Sequence, residues 1–244
     1  MKQIAMIPAR YAATRFPFKL MQPLGSKTVI RHTYDNTVAT GLFDEVYVVT
    51  DHPIIYNEIM SHGGQAIMSI AQHESGSDRI AEAMLKLDAD VVLNVQGDEP
   101  FVSREPLAAL LNAFKDPKVQ VGSLMRPFAD MALVQDPNYV KVVTNNAGDA
   151  LYFSRSPIPF VRDSGLLPTF YEHIGVYAFR KAILLQFTLW PMGKLERMEK
   201  LEQLRYLEHG VPIRMIETHA PTVKIDVPED LLFAEAYLKT FSLL

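Results

Sequence analysis

The sequence contains no cysteine. Disulfides and thiolate metal sites are therefore excluded, and the absence agrees with a cytoplasmic home. No apolar run approaches the ~20 residues of a membrane span. The N-terminus lacks the long apolar core and small-residue cleavage site of a signal peptide. Two glycine patterns are also missing. No G-x-G-x-x-G occurs, and "LGSKT" carries Gly25, Lys27 and Thr28 without Walker spacing. A NAD-binding Rossmann enzyme and a P-loop ATPase are both disfavoured. Nor is there a basic excess: the formal net charge of −4 speaks against a general nucleic-acid binder.

What is present points elsewhere. At 244 residues, 48% of them hydrophobic, the chain can build a core of substantial size. Its charge is unevenly spread. Residues 1–40 hold six cations (Lys2, Arg10, Arg15, Lys19, Lys27, Arg31) against one acid, Asp35, while the remainder carries 18 cations and 27 acids. A local basic patch on an acidic protein suits a compact polyanion better than a long phosphate backbone.

Strand and helix signals alternate through the first half. "QIAMI" (3–7), "EVYVVT" (45–50), "QAIMSI" (65–70), "DVVLNV" (90–95) and "VQVGSLMR" (119–126) read as strands. Helices are expected over 28–40, 53–64, 77–87 and 105–114, with Gly41 and the Gly63–Gly64 pair as stops. The rhythm predicts an α/β fold: a Rossmann-like, mostly parallel mixed sheet covered by helices. The second half is less regular. "YVKVVTNNAGDALYFS" (139–154) reads as a hairpin about Asn146–Gly148, and "YEHIGVYAFR" (171–180) as a strand. Residues 194–210 read as one amphipathic helix, since Leu195, Met198, Leu201 and Leu204 recur every three residues. A strand "PIRMIET" and a helix from Pro228 to Leu238 complete the chain. With no linker or repeat in view, residues 1–244 read as one domain with a β-rich insertion near 139–180.

In open α/β sheets, ligands bind beyond the carboxyl ends of the strands, and three polar segments fall there. The loop after the first strand carries Arg10, Arg15 and Lys19, good partners for phosphate oxygens. "NVQGDEP" (94–100) places Asp98 after a glycine turn, where it is either a ligand for Mg²⁺ or a solvated turn acid. "KIDVPED" (224–230) offers Asp226 as a second ligand or as a helix-initiating residue. Together they describe metal-assisted chemistry on a nucleoside triphosphate.

Seven blocks occur in a telling order: "IPARYAATRFP" followed by Lys19, "HESGSDRIAEA", "NVQGDEP", "ALYFSRSPIP", "HIGVYAFR", "LEQLR" and "IDVPEDL". Over essentially its whole length the chain resembles the 3-deoxy-manno-octulosonate cytidylyltransferases, which are nucleotide-diphospho-sugar transferases of glycosyltransferase-A-like fold. The resemblance implies a Mg²⁺-dependent homodimeric enzyme that joins CTP to the acidic octulosonate Kdo, releasing pyrophosphate, for lipopolysaccharide synthesis. It implies that Arg10, Arg15 and Lys19 hold the triphosphate, that Ser75, Gly76 and Arg79 lie by the cytosine and ribose, and that Asp98 and Asp226 bind metal. Lys19, Asp98 and Asp226 become the catalytic group. Gln96, Arg155, His173, Tyr177, Glu202 and Gln203 are assigned to the sugar pocket, and the β-rich insertion to sugar site and dimer. On their own, His173 and Tyr177 read as packing residues and Glu202 as a solvated helix acid.

This chain departs from the family pattern at four places. Phe18 stands where Gly is usual, Leu20 where Pro is usual, and Lys224 and Val227 where Gly and Thr are usual. If that glycine has positive φ, Phe18 is strained there. These departures keep two alternatives open: a related acceptor such as 8-amino-Kdo, or a noncatalytic nucleotide-binding homologue whose loop Phe18 has disabled.

Overall fold

A computed structural model describes residues 1–12, 16–71, 73, 75–163, 165 and 168–241. The chain divides into two compact units, Met1–Leu107 with Ala220–Leu244, and Ala108–His219. The sequence reading has one domain. The division falls inside a helix, so no linker composition announces it.

The first unit opens with β1 (Gln3–Ala9), a two-residue ribbon β2 (Pro23–Leu24) and β3 (Lys27–Thr28), and α1 (Val29–Ala39). Then come β4 (Glu45–Thr50), α2 (Pro53–Ser61), β5 (Ala66–Met68), α3 (Gly76–Met84), β6 (Val91–Asn94) and the start of α4 (Arg104–Ala113). β1 pairs in parallel with β4 on one side and β6 on the other, and β5 extends the sheet beyond β4. Ile4 to Ile7, Val48, Val49 and Val91 to Leu93 are fully buried, as strands covered on both faces require. Helix starts are set locally. The Thr28 hydroxyl accepts from the Arg31 amide, and the Ser75 hydroxyl accepts from the Asp78 amide, starting α3 at Gly76.

In the second unit, β7 (Val121–Pro127) is followed by the hairpin β8 (Lys141–Thr144) and β9 (Ala150–Ser154), then β10 (Tyr171–Arg180). Short helices α5 (Lys181–Phe187), α6 (Lys194–Glu199) and α7 (Leu204–Glu208) lead to β11 (Ile213–Glu217). β10 runs antiparallel to β7 and β8, and β11 runs parallel to β7. The chain then returns to the first unit with α8 (Pro228–Phe241).

One element differs from expectation. The helix read over 194–210 is two helices, broken at Lys200, which takes φ 55°. The carbonyls that would continue α6 are used from elsewhere: the Arg155 guanidinium donates to the oxygens of Glu199 (2.7 Å) and Lys200 (3.4 Å). The three-residue apolar stripe is misleading too. Met198 is 80% exposed, whereas Glu196 is buried and gripped by Arg205 through a fork of 2.6 and 2.7 Å bonds. Glu202 and Gln203 therefore sit in the turn between α6 and α7, not on a helix face.

Candidate active site

A cavity of about 280 Å³ opens at the carboxyl ends of β1 and β6 in the first unit, lined by Arg10, Lys19, Gly76, Gln96, Gly97 and Asp98 among others. The 97–100 loop is held there by α1. Buried Thr33 donates to the Gly97 carbonyl (2.9 Å), and Asn36 donates to that of Pro100 (2.6 Å). Gly97 is closely packed: a Cβ there would lie 3.0 Å from the Pro8 carbonyl oxygen, so a side chain would have to push the backbone aside. Neither helix residue carries a sequence signal as a site support, since each reads as an ordinary polar position in an amphipathic helix.

At this end of the sheet the two candidate metal carboxylates converge on one ammonium. Lys19 Nζ lies 2.5 Å from Asp98 Oδ2 and 3.0 Å from Asp226 Oδ1. Lys224 Nζ approaches the other Asp226 oxygen at 3.1 Å. Burial pushes the Asp226 carboxyl up, but Lys224 and Lys19 outweigh it and hold it below the usual carboxylate range. Burial likewise pulls the Lys224 ammonium down, and Asp98, Asp226 and Glu99 reverse the shift upward. The helix start falls to a neighbour of Asp226. Asp230 Oδ2 accepts from the amides of Asp226 (2.8 Å) and Val227 (2.9 Å), so Asp230 serves the start of α8 while the Asp226 carboxylate faces the lysines. The Ile225 amide donates to the Asp98 carbonyl at 3.0 Å, tying the two segments together.

This donor set fits a divalent cation. The Asp98 Oδ1 atom is buried with no hydrogen-bond partner, an arrangement that costs free energy until a ligand fills it. No group of three or more candidate metal-binding side chains occurs among the described residues. Two carboxylates suffice for Mg²⁺, which keeps waters and takes phosphate oxygens to complete its shell.

The basic loop reaches this cluster through Phe18. Its backbone takes φ 59° and ψ 24°, the left-handed region, directly before the short 3₁₀ turn Lys19–Met21. Phe18 thus keeps the conformation glycine adopts without strain, and Lys19 still reaches both carboxylates. A tilted ring contact offsets the strain, Phe18 on Tyr11 at 4.6 Å, and Tyr11 stacks on His52 at 3.8 Å. Replacing Phe18 by Gly removes roughly 1–2 kcal/mol of left-handed strain and about 0.5–1.5 kcal/mol of ring contact. The expected result is a melting temperature close to wild type and turnover within about tenfold of it, by thermal unfolding and pyrophosphate release. A gain from no activity to full activity would mean that Phe18 disables the loop.

Other assigned residues have occupations of their own. Arg10 lines the cavity, whereas Arg15 lies outside the described residues. The Ser75 hydroxyl caps α3. Arg79 was assigned to cytosine and ribose, but its guanidinium is buried. It is only 2% exposed and donates to Ser69 Oγ (2.9 Å) and Asp51 Oδ2 (2.8 Å). Asp51 in turn accepts from the Tyr11 amide at 3.3 Å. Arg79 thus braces Ser69 and Asp51 behind the loop, and its Nε is buried without a partner.

Five sugar-pocket candidates lie in the second unit; Gln96 alone lies in the first. Three of the five N–H groups of Arg155 donate to the Pro137, Glu199 and Lys200 carbonyls, which accounts for its placement without an external carboxylate. His173 and Tyr177 touch, with ring centroids 5.4 Å apart. Burial drops the His173 pKa to about 3. Burial, then the Glu202 charge, raise the Tyr177 phenol well above its ordinary value. The Gln203 Nε2 is buried without a hydrogen-bond partner, whereas the buried Tyr177 hydroxyl interacts with the Ser123 side chain. A buried donor like that of Gln203 calls for a partner.

Comparison with known proteins accords with this chemistry. Residues 4–217 match the profile of the cytidylyltransferase family. The 3-deoxy-manno-octulosonate cytidylyltransferase of Flavobacterium johnsoniae is 56% identical over 242 residues, covering 98% of this chain and 99% of the relative. That of Bacteroides thetaiotaomicron is 44% identical, covering 99% of this chain and 100% of its own. Among solved structures, a CMP:2-keto-3-deoxy-manno-octonic acid synthetase complexed with CTP superposes with a TM-score of 0.94 at 37% identity, over 98% of this chain and 99% of its own. A 4-diphosphocytidyl-2C-methyl-D-erythritol synthase from Anaerococcus prevotii shares the fold at a TM-score of 0.67 and 19% identity, over 98% of this chain and 99% of its own. With family profile, relatives and fold in agreement over nearly its whole length, the chain belongs to the 3-deoxy-manno-octulosonate cytidylyltransferase family.

Proposed function

We propose that this protein transfers CMP from CTP to the anomeric hydroxyl of 3-deoxy-D-manno-octulosonate, giving CMP-Kdo and pyrophosphate for lipopolysaccharide synthesis. The observation that carries the reading is the convergence of Asp98 and Asp226 on Lys19 beside the cavity at the carboxyl ends of β1 and β6. The sugar oxygen forms a bond to the α-phosphorus, and the bond from that phosphorus to the β-bridging oxygen breaks. Arg10, Arg15 and Lys19 neutralise the departing pyrophosphate and orient the triphosphate in line. Asp98 and Asp226 would hold Mg²⁺, which when bound offsets charge on the α-phosphate and acidifies the sugar hydroxyl. Ser75 and Gly76 begin α3 at the cavity, where an oriented helix start favours anionic or hydroxyl groups; Arg79 supports them from behind.

His173, Tyr177, Glu202 and Gln203, with Gln96, would take the hydroxyls of the acidic sugar, and the remaining N–H groups of Arg155 its carboxylate. The buried, unpartnered Gln203 Nε2 supports that assignment. CTP as substrate argues for the cytoplasm, and exposed Leu151 and Phe160 in the β-rich stretch favour a homodimer built there. Pyrophosphate release measured with CTP, Mg²⁺ and either Kdo or 8-amino-Kdo tests the reading. Release with Kdo is expected; release with the amino sugar alone reassigns the acceptor, and release with neither refutes the activity.

A further inference from the structure

A buried serine in the second unit governs the imidazole assigned to the sugar. Ser123, on β7, is fully buried and sits opposite an irregularity in β10. There the register jumps from Ile174 opposite Leu124 to Tyr177 opposite Ser123. In a regular strand, residues four apart are roughly 13 Å apart along the axis. Here the His173 and Tyr177 rings meet at 5.4 Å, a contact that the extra residues of the bulge favour by bending the strand. At this irregularity two strand carbonyls face Ser123. Its hydroxyl lies 3.1 Å from the Ile174 oxygen, 2.9 Å from the Val176 oxygen and 3.0 Å from His173 Nε2.

The proton count at this hydroxyl settles the imidazole. A serine has one proton to give and lone pairs to receive. Both carbonyls can only accept, so the hydroxyl proton belongs to them. Were Nε2 bare, three acceptors would share that single proton in a buried site, which is costly. With Nε2 protonated, the imidazole donates to one serine lone pair, the hydroxyl proton is left to the two carbonyls, and a lone pair remains for the Tyr177 hydroxyl that also interacts with Ser123. We propose that Ser123 is a positioning residue that locks neutral His173 as its Nε2–H tautomer, so that Nδ1 is the acceptor offered to a hydroxyl of the acidic sugar. The Phe153 ring, edge-on at 5.0 Å, and the His173 amide, bonded to the Val140 carbonyl at 2.8 Å, hold the imidazole from its other sides. The sugar half of this inference rests on the assignment of His173 under Proposed function; the tautomer half does not.

The test is ¹⁵N–¹H correlation of the histidine rings in the whole protein, with His173 assigned by its loss in His173→Gln. The wild type is expected to show a protonated Nε2 and a bare Nδ1, unchanged between pH 8 and pH 5. In Ser123→Ala the preference should collapse toward a mixture or the Nδ1–H form. KM for the sugar should rise about tenfold, the worth of one misplaced hydrogen bond, while KM for CTP stays within about twofold. Wild-type His173 protonated at Nδ1 overturns the proposal without any variant, so misfolding of Ser123→Ala does not shield it. An unchanged tautomer in a folded Ser123→Ala overturns it as well. A shifted tautomer with unchanged KM for the sugar upholds the lock and removes His173 from the sugar site.

Discussion

Asp98→Asn should lower kcat by roughly a thousandfold while leaving the fold intact, the scale expected when one charge stabilising the transition state is removed. The substitution is nearly isosteric, and the asparagine oxygen can still accept from Lys19, which keeps its 3.0 Å contact to Asp226. The melting temperature should therefore stay within about 5 °C of wild type. What disappears is a negative charge at an atom, Asp98 Oδ1, that is buried and has no protein partner. An amide presents one oxygen and a donor there, and a donor repels a cation. Asp226→Asn should act in the same direction, and the double variant should be little slower than either single one, because two ligands of one ion fail together. Direct Mn²⁺ titration in the presence of CTP should show the affinity loss independently of turnover. Turnover of Asp98→Asn near the wild-type rate would remove Asp98 from the metal.

The parallel sheet of the first unit was legible because buried strands announce themselves as apolar runs between turns, as in β1, β4 and β6. The place of the cavity was legible because ligands gather at the carboxyl ends of such strands. Less was legible where a distant residue decides a local structure. The break at Lys200 depends on Arg155, 44 residues before Glu199, and no periodicity within 194–210 could reveal it. Glu196 looks like a solvent-facing acid until Arg205 grips it inside. Arg79 looks like one more solvated cation, and only the fold shows it buried against Asp51 and Ser69. Asp226 was ambiguous between helix start and ligand because both roles suit a carboxylate before Pro228. Asp230 takes the backbone amides, which removes the helix start from Asp226. Phe18 looked disabling in a glycine position, but the backbone there holds the left-handed turn and a ring contact with Tyr11 accompanies it.

Lys19→Met should weaken the protein at neutral pH, strengthen its response to divalent metal and slow turnover, three effects with one origin. In the wild type the ammonium lies between two carboxylates, and the Lys19, Asp98 and Asp226 side chains are 16%, 13% and 25% exposed. Removing it leaves two negative groups facing each other in a poorly solvated site, at a cost of about 1–3 kcal/mol. The pH dependence has a definite sign. Asp226 is held below its ordinary value of 3.8 by Lys224 and Lys19 against the upward push of burial. A depressed carboxyl pKa contributes stability above the unfolded value, lost as pH falls through the folded one. The deficit of Lys19→Met should therefore be largest near pH 7 and shrink below about pH 4 as the Asp226 carboxylate takes up its proton in both proteins. The same ammonium competes with a divalent ion for these oxygens. Without CTP, millimolar Mg²⁺ should raise the melting temperature of Lys19→Met more than that of the wild type, since a ligand stabilises in proportion to its affinity for the folded form. In the wild type, CTP offers Lys19 phosphate oxygens in exchange, so Mn²⁺ should bind more tightly once CTP is present. That coupling should fall in Lys19→Met, along with a loss of kcat of roughly a hundredfold or more from the leaving group's missing cation. Calorimetric titration of Mn²⁺ with and without CTP on both proteins measures it. Equal coupling in the two would show that Lys19 does not pass from the carboxylates to the triphosphate.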